Sequence, residues 1–178
     1  DYGVVALGIY NGQGANRFER NDAFHVVGRV TWPYQFANGQ IVEAGVQAIN
    51  GRFTPNVDPG IAMNAPANGF QDSRVGLHAV LYPQPFGLQA EWNWGRGPQL
   101  SVDQTSIDVE DLNGGYVQAS YRLEHAFGVF MPFIRWQHYD GAMKFERNAP
   151  ASEVDETEFG LEWQPMPELE LVTMYVLT

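Results

Sequence analysis

Ten ionisable side chains fall at positions from which they could act together: Arg29, Arg74, Arg122 and Arg135, Glu43, Glu91, Glu158 and Glu162, and His25 and His78. Each belongs to an extended run in which polar and apolar residues alternate. In "LQAEWNW", Gln89, Glu91 and Asn93 oppose Leu88, Ala90, Trp92 and Trp94, because successive side chains of a strand point to opposite faces. The same pattern places His25, Arg29 and Thr31 on one side of "FHVVGRVTW", Glu43 and Gln47 on one side of "VEAGVQA", and Arg74 and His78 on one side of "RVGLHAVL". It recurs for Arg122 in "YVQASYRL", Arg135 in "IRWQ", and Glu158 and Glu162 in "EFGLEW". Arginines facing carboxylates across a narrow wet passage set up a transverse field that orients dipolar solutes and discriminates between ions. The same charges could instead pair across neighbouring strands and keep a wall polar.

Catalytic uses of these residues fit less well. Two carboxylates across a cleft can hydrolyse glycosides in a soluble β-sandwich, with Glu91 and Glu162 as the candidates beside Trp92 and Trp163. Each glutamate, however, points away from its neighbouring tryptophan, so acid and sugar platform would not share a cleft. His25, His78, His125 and His138 are scattered, and no Gly-x-Ser-x-Gly elbow accompanies them. There is no HExxH pattern, and "NGQGANRF" does not lead from a phosphate loop into a helix. The acidic run "DQTSIDVEDLNGG" lacks EF-hand spacing and reads as a solvated loop. The expectation is therefore no catalytic residue, no metal and no cofactor.

Composition narrows the class. The net charge of -11 leaves too little Lys and Arg to neutralise phosphates, so no nucleic-acid partner is expected. Lys144 is the only lysine. Cysteine is absent, which removes disulfides, thiolate metal sites and a cysteine nucleophile. Only 17% of residues are charged, while 19 glycines, 11 phenylalanines, 8 tyrosines and 5 tryptophans favour strands and turns over helices.

The elements that would position the ionisable residues are about nine extended segments. Tight connections, "QFANGQ", "PQPFG", "LEHAFG" and "QPMPE", alternate with long ones spanning 12–22, 51–72, 95–115 and 140–156. Short turns at one end and long loops at the other describe an up-and-down membrane barrel, in which apolar residues face lipid and polar ones the interior. Aromatic residues gather at both ends: Trp32, Tyr34, Phe36, Tyr82, Phe86, Phe127 and Trp163 near the turns, and Phe24, Phe53, Phe70, Trp94 and Tyr139 near the loops. Two such belts suit the headgroup depths of a bilayer. The loops carry Asp103, Asp108, Glu110, Asp111, Glu153, Asp155 and Glu156, an acidic mouth that favours cations weakly. The first and last segments are apolar on both faces and leave their orientation open. A closed, non-conducting eight-stranded scaffold is the remaining membrane alternative.

Taken in order, "GIYNGQGANRFERND", the strand bearing Arg29, "GGYVQASYRL", "PFIRWQHYDG" with "KFE", and "EFGLEWQPMPELELVTMYV" resemble the C-terminal half of the phosphate-selective porin O and porin P family. The resemblance implies a sixteen-stranded antiparallel barrel in the bacterial outer membrane. It also implies a homotrimer in contact with lipid and lipopolysaccharide, passing small hydrophilic solutes or ions by diffusion. The single lysine departs from the lysine-lined pores of the family's phosphate-selective members, and the ending "VLT" departs from the aromatic residue on which bacterial barrels finish. Residues 1–178 are accordingly expected to be one barrel segment that lacks an N-terminal half and the last strands.

Overall fold

The computed structural model describes residues 2–14, 18–65 and 68–178. Alternating β-branched and aromatic residues form eleven strands: β1 (Val4–Asn11), β2 (Phe24–Gln35), β3 (Ile41–Phe53), β4 (Ala62–Met63), β5 (Phe70–Leu81), β6 (Phe86–Leu100), β7 (Ser106–Tyr121), β8 (Leu123–His125), β9 (Gly128–Ala142), β10 (Ala151–Met166) and β11 (Leu169–Leu177). Nine of them make one antiparallel, up-and-down sheet in the order β1-β2-β3-β5-β6-β7-β9-β10-β11. The short β8 extends the turn before β9, and β4 lies parallel to the start of β7. Among the described residues the sheet does not close, so β1 and β11 are its two edges.

Register carries each kind of side chain in rows across the sheet. On one face Arg29 lies opposite Gln47, His78 opposite Glu91, Gln118 opposite Arg135, and Arg135 opposite Glu158. On the other, Val30, Val46, Leu77 and Trp92 form a continuous apolar row. Burial is the reverse of a water-soluble sheet: Leu77 is 53% exposed and Val46 40%, whereas Asp72 is 0% exposed and Glu158 6%. Pairing also orients the ambiguous first strand, since Tyr10 opposes His25 and stacks on it, placing Val4, Ala6 and Gly8 on the polar face. On β11 the residues of that face are Val172, Met174 and Val176, opposite Glu162, Gly160 and Glu158.

Among the described residues, apolar burial is confined to the long-loop end, where Phe53 opposes Phe70 and Ile107, Leu112, Ala142 and Ala149 are also buried. Here the long connections are tied together. Asp58 pairs with Arg147 at 2.5 Å, the Asn148 backbone N–H donates to the Asn56 carbonyl at 2.7 Å, and the Leu100 N–H donates to the Ala149 carbonyl at 3.0 Å.

Several expectations change. The expected loop at 95–115 is mostly strand: β6 and β7 stay in register up to Leu100 opposite Ile107, leaving a turn at 101–105. Cross-strand contacts such as Arg96–Asp111 at 2.8 Å offset the weak strand preference of its Gly, Asp and Ser residues. Asp108, Glu110, Asp111, Glu153, Asp155 and Glu156 thus stand on strands, not loops. The expected loops at 12–22 and 51–72 shorten where β3 reaches Phe53 and β5 starts at Phe70; their residues 15–17 and 66–67 lie outside the described residues. Phe53 and Phe70 leave the loop-side aromatic belt because they are fully buried on the polar side, and Tyr139 turns inward to donate to the Ala142 carbonyl at 2.7 Å.

Candidate functional site

The polar face resolves into two networks joined by strand pairing. In the first, Arg29 Nε donates to Thr31 Oγ1 at 3.1 Å, and both side chains lie 3.4 Å from His78 Nε2. His78 Nδ1 meets Gln47 Oε1 at 2.9 Å; the amide oxygen only accepts, so Nδ1 carries a proton. Gln47 Nε2 and Asn93 Nδ2 then donate to Glu91 Oε1 at 3.0 and 2.9 Å, completing a path over β2, β3, β5 and β6. Glu43 joins its edge, accepting from Tyr82 at 3.4 Å. In the second, Arg135 donates through two nitrogens to Gln118 Oε1 at 2.9 and 2.8 Å and lies 3.2 Å from Glu158, with its guanidinium over the Tyr116 and Phe133 rings. Gln137 donates to Glu156, and Gln164 to Glu162, each at 2.5 Å.

Nine of the ten ionisable residues singled out from sequence share this face. Arg122 stands apart: it follows β7 at the short-turn end and pairs with Glu124 at 3.2 Å. Cross-strand pairing of an arginine with a carboxylate of that set is realised at Arg135–Glu158. His138 and Asp155 pair at 3.0 Å on the apolar side, where the imidazole stacks on Trp92 and Trp136. Glu91 and Trp92 remain on opposite faces, as the alternation requires.

The most buried part of the face was not legible as a unit. Asp72 on β5 is fully buried, and three cationic or proton-bearing groups converge on it: His25 Nε2 at 3.0 Å, Arg74 Nη2 at 3.2 Å, and Lys144 Nζ, which donates to Oδ2. Lys144 arrives from the loop at 143–150 and is held between the rings of Phe53 and Phe145, 5.0 Å from each centroid. Burial pushes its pKa down, with Asp72 opposing that shift. His25 fits only because Gly12 and Gly51 leave room; a Cβ would stand 1.6 Å from the imidazole at Gly12 and 2.5 Å at Gly51. The available signal was the spacing Asp72, Arg74, His78 on one face of β5, and the isolation of the only lysine beside Phe145.

Between the loop at 143–150 and the polar face lies a cavity of about 820 Å³, lined by Arg74 and Asn93 from β5 and β6, Tyr116 and Tyr139 from β7 and β9, and Met143 and Phe145 from the loop. Among the described residues no group of three or more His, Asp or Glu side chains is arranged to hold a metal. At the turn, Asp103 accepts from Ser101 and Thr105, which hold its carboxyl below the usual range.

Comparison with known proteins yields a match to the family model described as phosphate-selective porin O and P, over residues 1–178. Neither the curated proteins nor the solved structures contain a match.

Proposed function

Because this chain belongs to the phosphate-selective porin O and P family, we propose that it forms wall of a water-filled outer-membrane channel through which small hydrophilic solutes or ions diffuse passively. The observation that carries this function is the inverted burial: Val75, Leu77 and Val46 are 45%, 53% and 40% exposed, while His25, Asp72, His78 and Glu158 are buried. A sheet folded for water would bury the first set and expose the second. Family membership points to a channel rather than an enzyme.

The polar face is then the lumen. Arg29, Arg74, Arg135, Glu43, Glu91, Glu158, Glu162 and His78 make its wall, and His25 lies beneath the loop that Lys144 fastens. That loop narrows the passage. Arg122 belongs to the periplasmic rim. The edges β1 and β11 would leave backbone groups unpaired in hydrocarbon, at several kcal/mol each, so further strands complete the barrel. By the family's pattern the barrel has sixteen strands, assembles as a homotrimer, and contacts lipopolysaccharide through its exposed apolar face.

The test is reconstitution of the intact protein into planar bilayers. Discrete, stable conductance steps in KCl are expected. A protein that inserts fully and passes no current would overturn the channel function in favour of a closed scaffold.

A further inference from the structure

We propose that the cavity beneath the loop at 143–150 is a binding site for a small organic monoanion with an apolar body, of which an aromatic carboxylate is the simplest example. This rests on the channel function above and names a class of solute that pauses along the lumen.

The first ground is size and lining. A volume of about 820 Å³ falls within the roughly 300–1,000 Å³ of small-molecule sites. The lining is mainly apolar, with Leu112, Tyr116, Tyr139, Met143 and Phe145 contributing. Hydrated inorganic ions gain nothing from such walls, whereas a hydrocarbon or aromatic body loses its contact with water there.

The second ground is charge. Arg74 and Lys144 both line the cavity, and both lean on the single carboxylate of Asp72. While Lys144 is protonated, two cations on one anion leave an excess positive charge on the cluster, whatever the state of His25. Arg74 contacts Asp72 through Nη2, and its side chain is 29% exposed. A guanidinium carries five N–H donors in a planar fork, so the remaining donors suit a carboxylate. Glu146 is the carboxylate of the lining; it is exposed on the loop, where water screens it. A cation would instead meet Arg74 and Lys144, both of which line the site.

The experiment measures binding of sodium benzoate, benzyl alcohol and benzylammonium chloride to the intact detergent-solubilised protein by titration calorimetry, beside single-channel recordings with the same solutes. Saturable benzoate binding is expected, with benzyl alcohol and benzylammonium at least tenfold weaker, and benzoate should interrupt the KCl current in a concentration-dependent way. Arg74→Gln should weaken benzoate about tenfold or more, since it removes a charge-assisted pair. Met143 is 45% exposed on the loop and its side chain can change without disturbing a strand. Met143→Glu should weaken benzoate several-fold and Met143→Lys strengthen it. Equal binding of benzoate and benzylammonium, or benzoate affinity unchanged by both Arg74→Gln and Met143→Glu, would overturn the site. A protein that conducts KCl and ignores benzoate defeats the site and leaves the channel standing; benzoate binding without conductance does the opposite.

Discussion

Asp72 balances more charge than any other residue of the described chain, and its removal should be felt at the loop 72 positions away. Asp72→Asn would leave Arg74 and the buried Lys144 without their counter-charge. Breaking a buried pair from one side costs about 3–5 kcal/mol when it leaves a charge uncompensated, whereas loss of the Lys144 cation leaves Asp72 still paired with Arg74 and in contact with His25. Asp72→Asn should therefore release the loop to proteases, while Lys144→Met, still held between Phe53 and Phe145, should protect it far better. Limited proteolysis within 143–150 separates the two variants. The pH dependence has a definite sign. Burial lowers the Lys144 pKa from its ordinary 10.5, so the docked loop binds that proton less tightly than the free loop does. Docking is thus disfavoured while the lysine is charged, and that penalty lifts as pH rises through the lowered pKa. Alkaline solution should keep the loop docked; swinging it out would contradict the assignment.

At the scale of strands, the two faces make opposite demands. Leu77 sits in the middle of the apolar row, and Leu77→Arg should cost about 2–4 kcal/mol near the bilayer midplane. Folding titrations into lipid vesicles measure it. On the polar side Gly45 lies beneath His78: a Cβ there would come within 2.3 Å of the imidazole and 2.5 Å of the Val30 carbonyl oxygen. Gly45→Val should force β2 and β3 apart and lower the yield of folded protein, seen as loss of the heat-modifiable band on a gel. Alternation made most of these strands legible, because one residue of slip would send Arg74 and Glu91 into lipid. It could not show the tall β6–β7 hairpin, whose upper residues stay paired although Gly95, Gly97, Pro98 and Asp111 favour turns. Nor could it show Lys144 folding in between Phe53 and Phe145, a contact set by loop packing over long separations. The residues of the polar face were therefore readable one by one, and the cluster on Asp72 was not.

For the whole molecule, the charges of the polar face are the ones a solute would meet in the proposed channel. Arg29, Arg74, Arg135 and Lys144 stand against Glu43, Asp72, Glu91, Glu156, Glu158 and Glu162, and the upper part of β7 adds Asp108 and Glu110 on the same face. Carboxylates in excess enrich cations at low salt, an influence that fades beyond about 10 Å at 0.1 M. A reversal potential in a KCl gradient should reveal weak cation preference that declines as salt rises; strong anion preference would contradict this charge balance. The local positive excess at Arg74 is compatible with it, because a binding pocket and a net field act over different distances.

Everything at the larger scales depends on which face meets lipid. These 178 residues contain no cysteine, so single substitutions Val46→Cys, Gln47→Cys, Leu77→Cys and Glu91→Cys are read against the unsubstituted protein as the background control. With the intact protein in lipid vesicles, a charged, membrane-impermeant maleimide should label positions 47 and 91 and spare 46 and 77, which should react with a lipid-soluble reagent instead. Aqueous labelling of 46 and 77, with 47 and 91 protected, would reverse the two faces and contradict the channel.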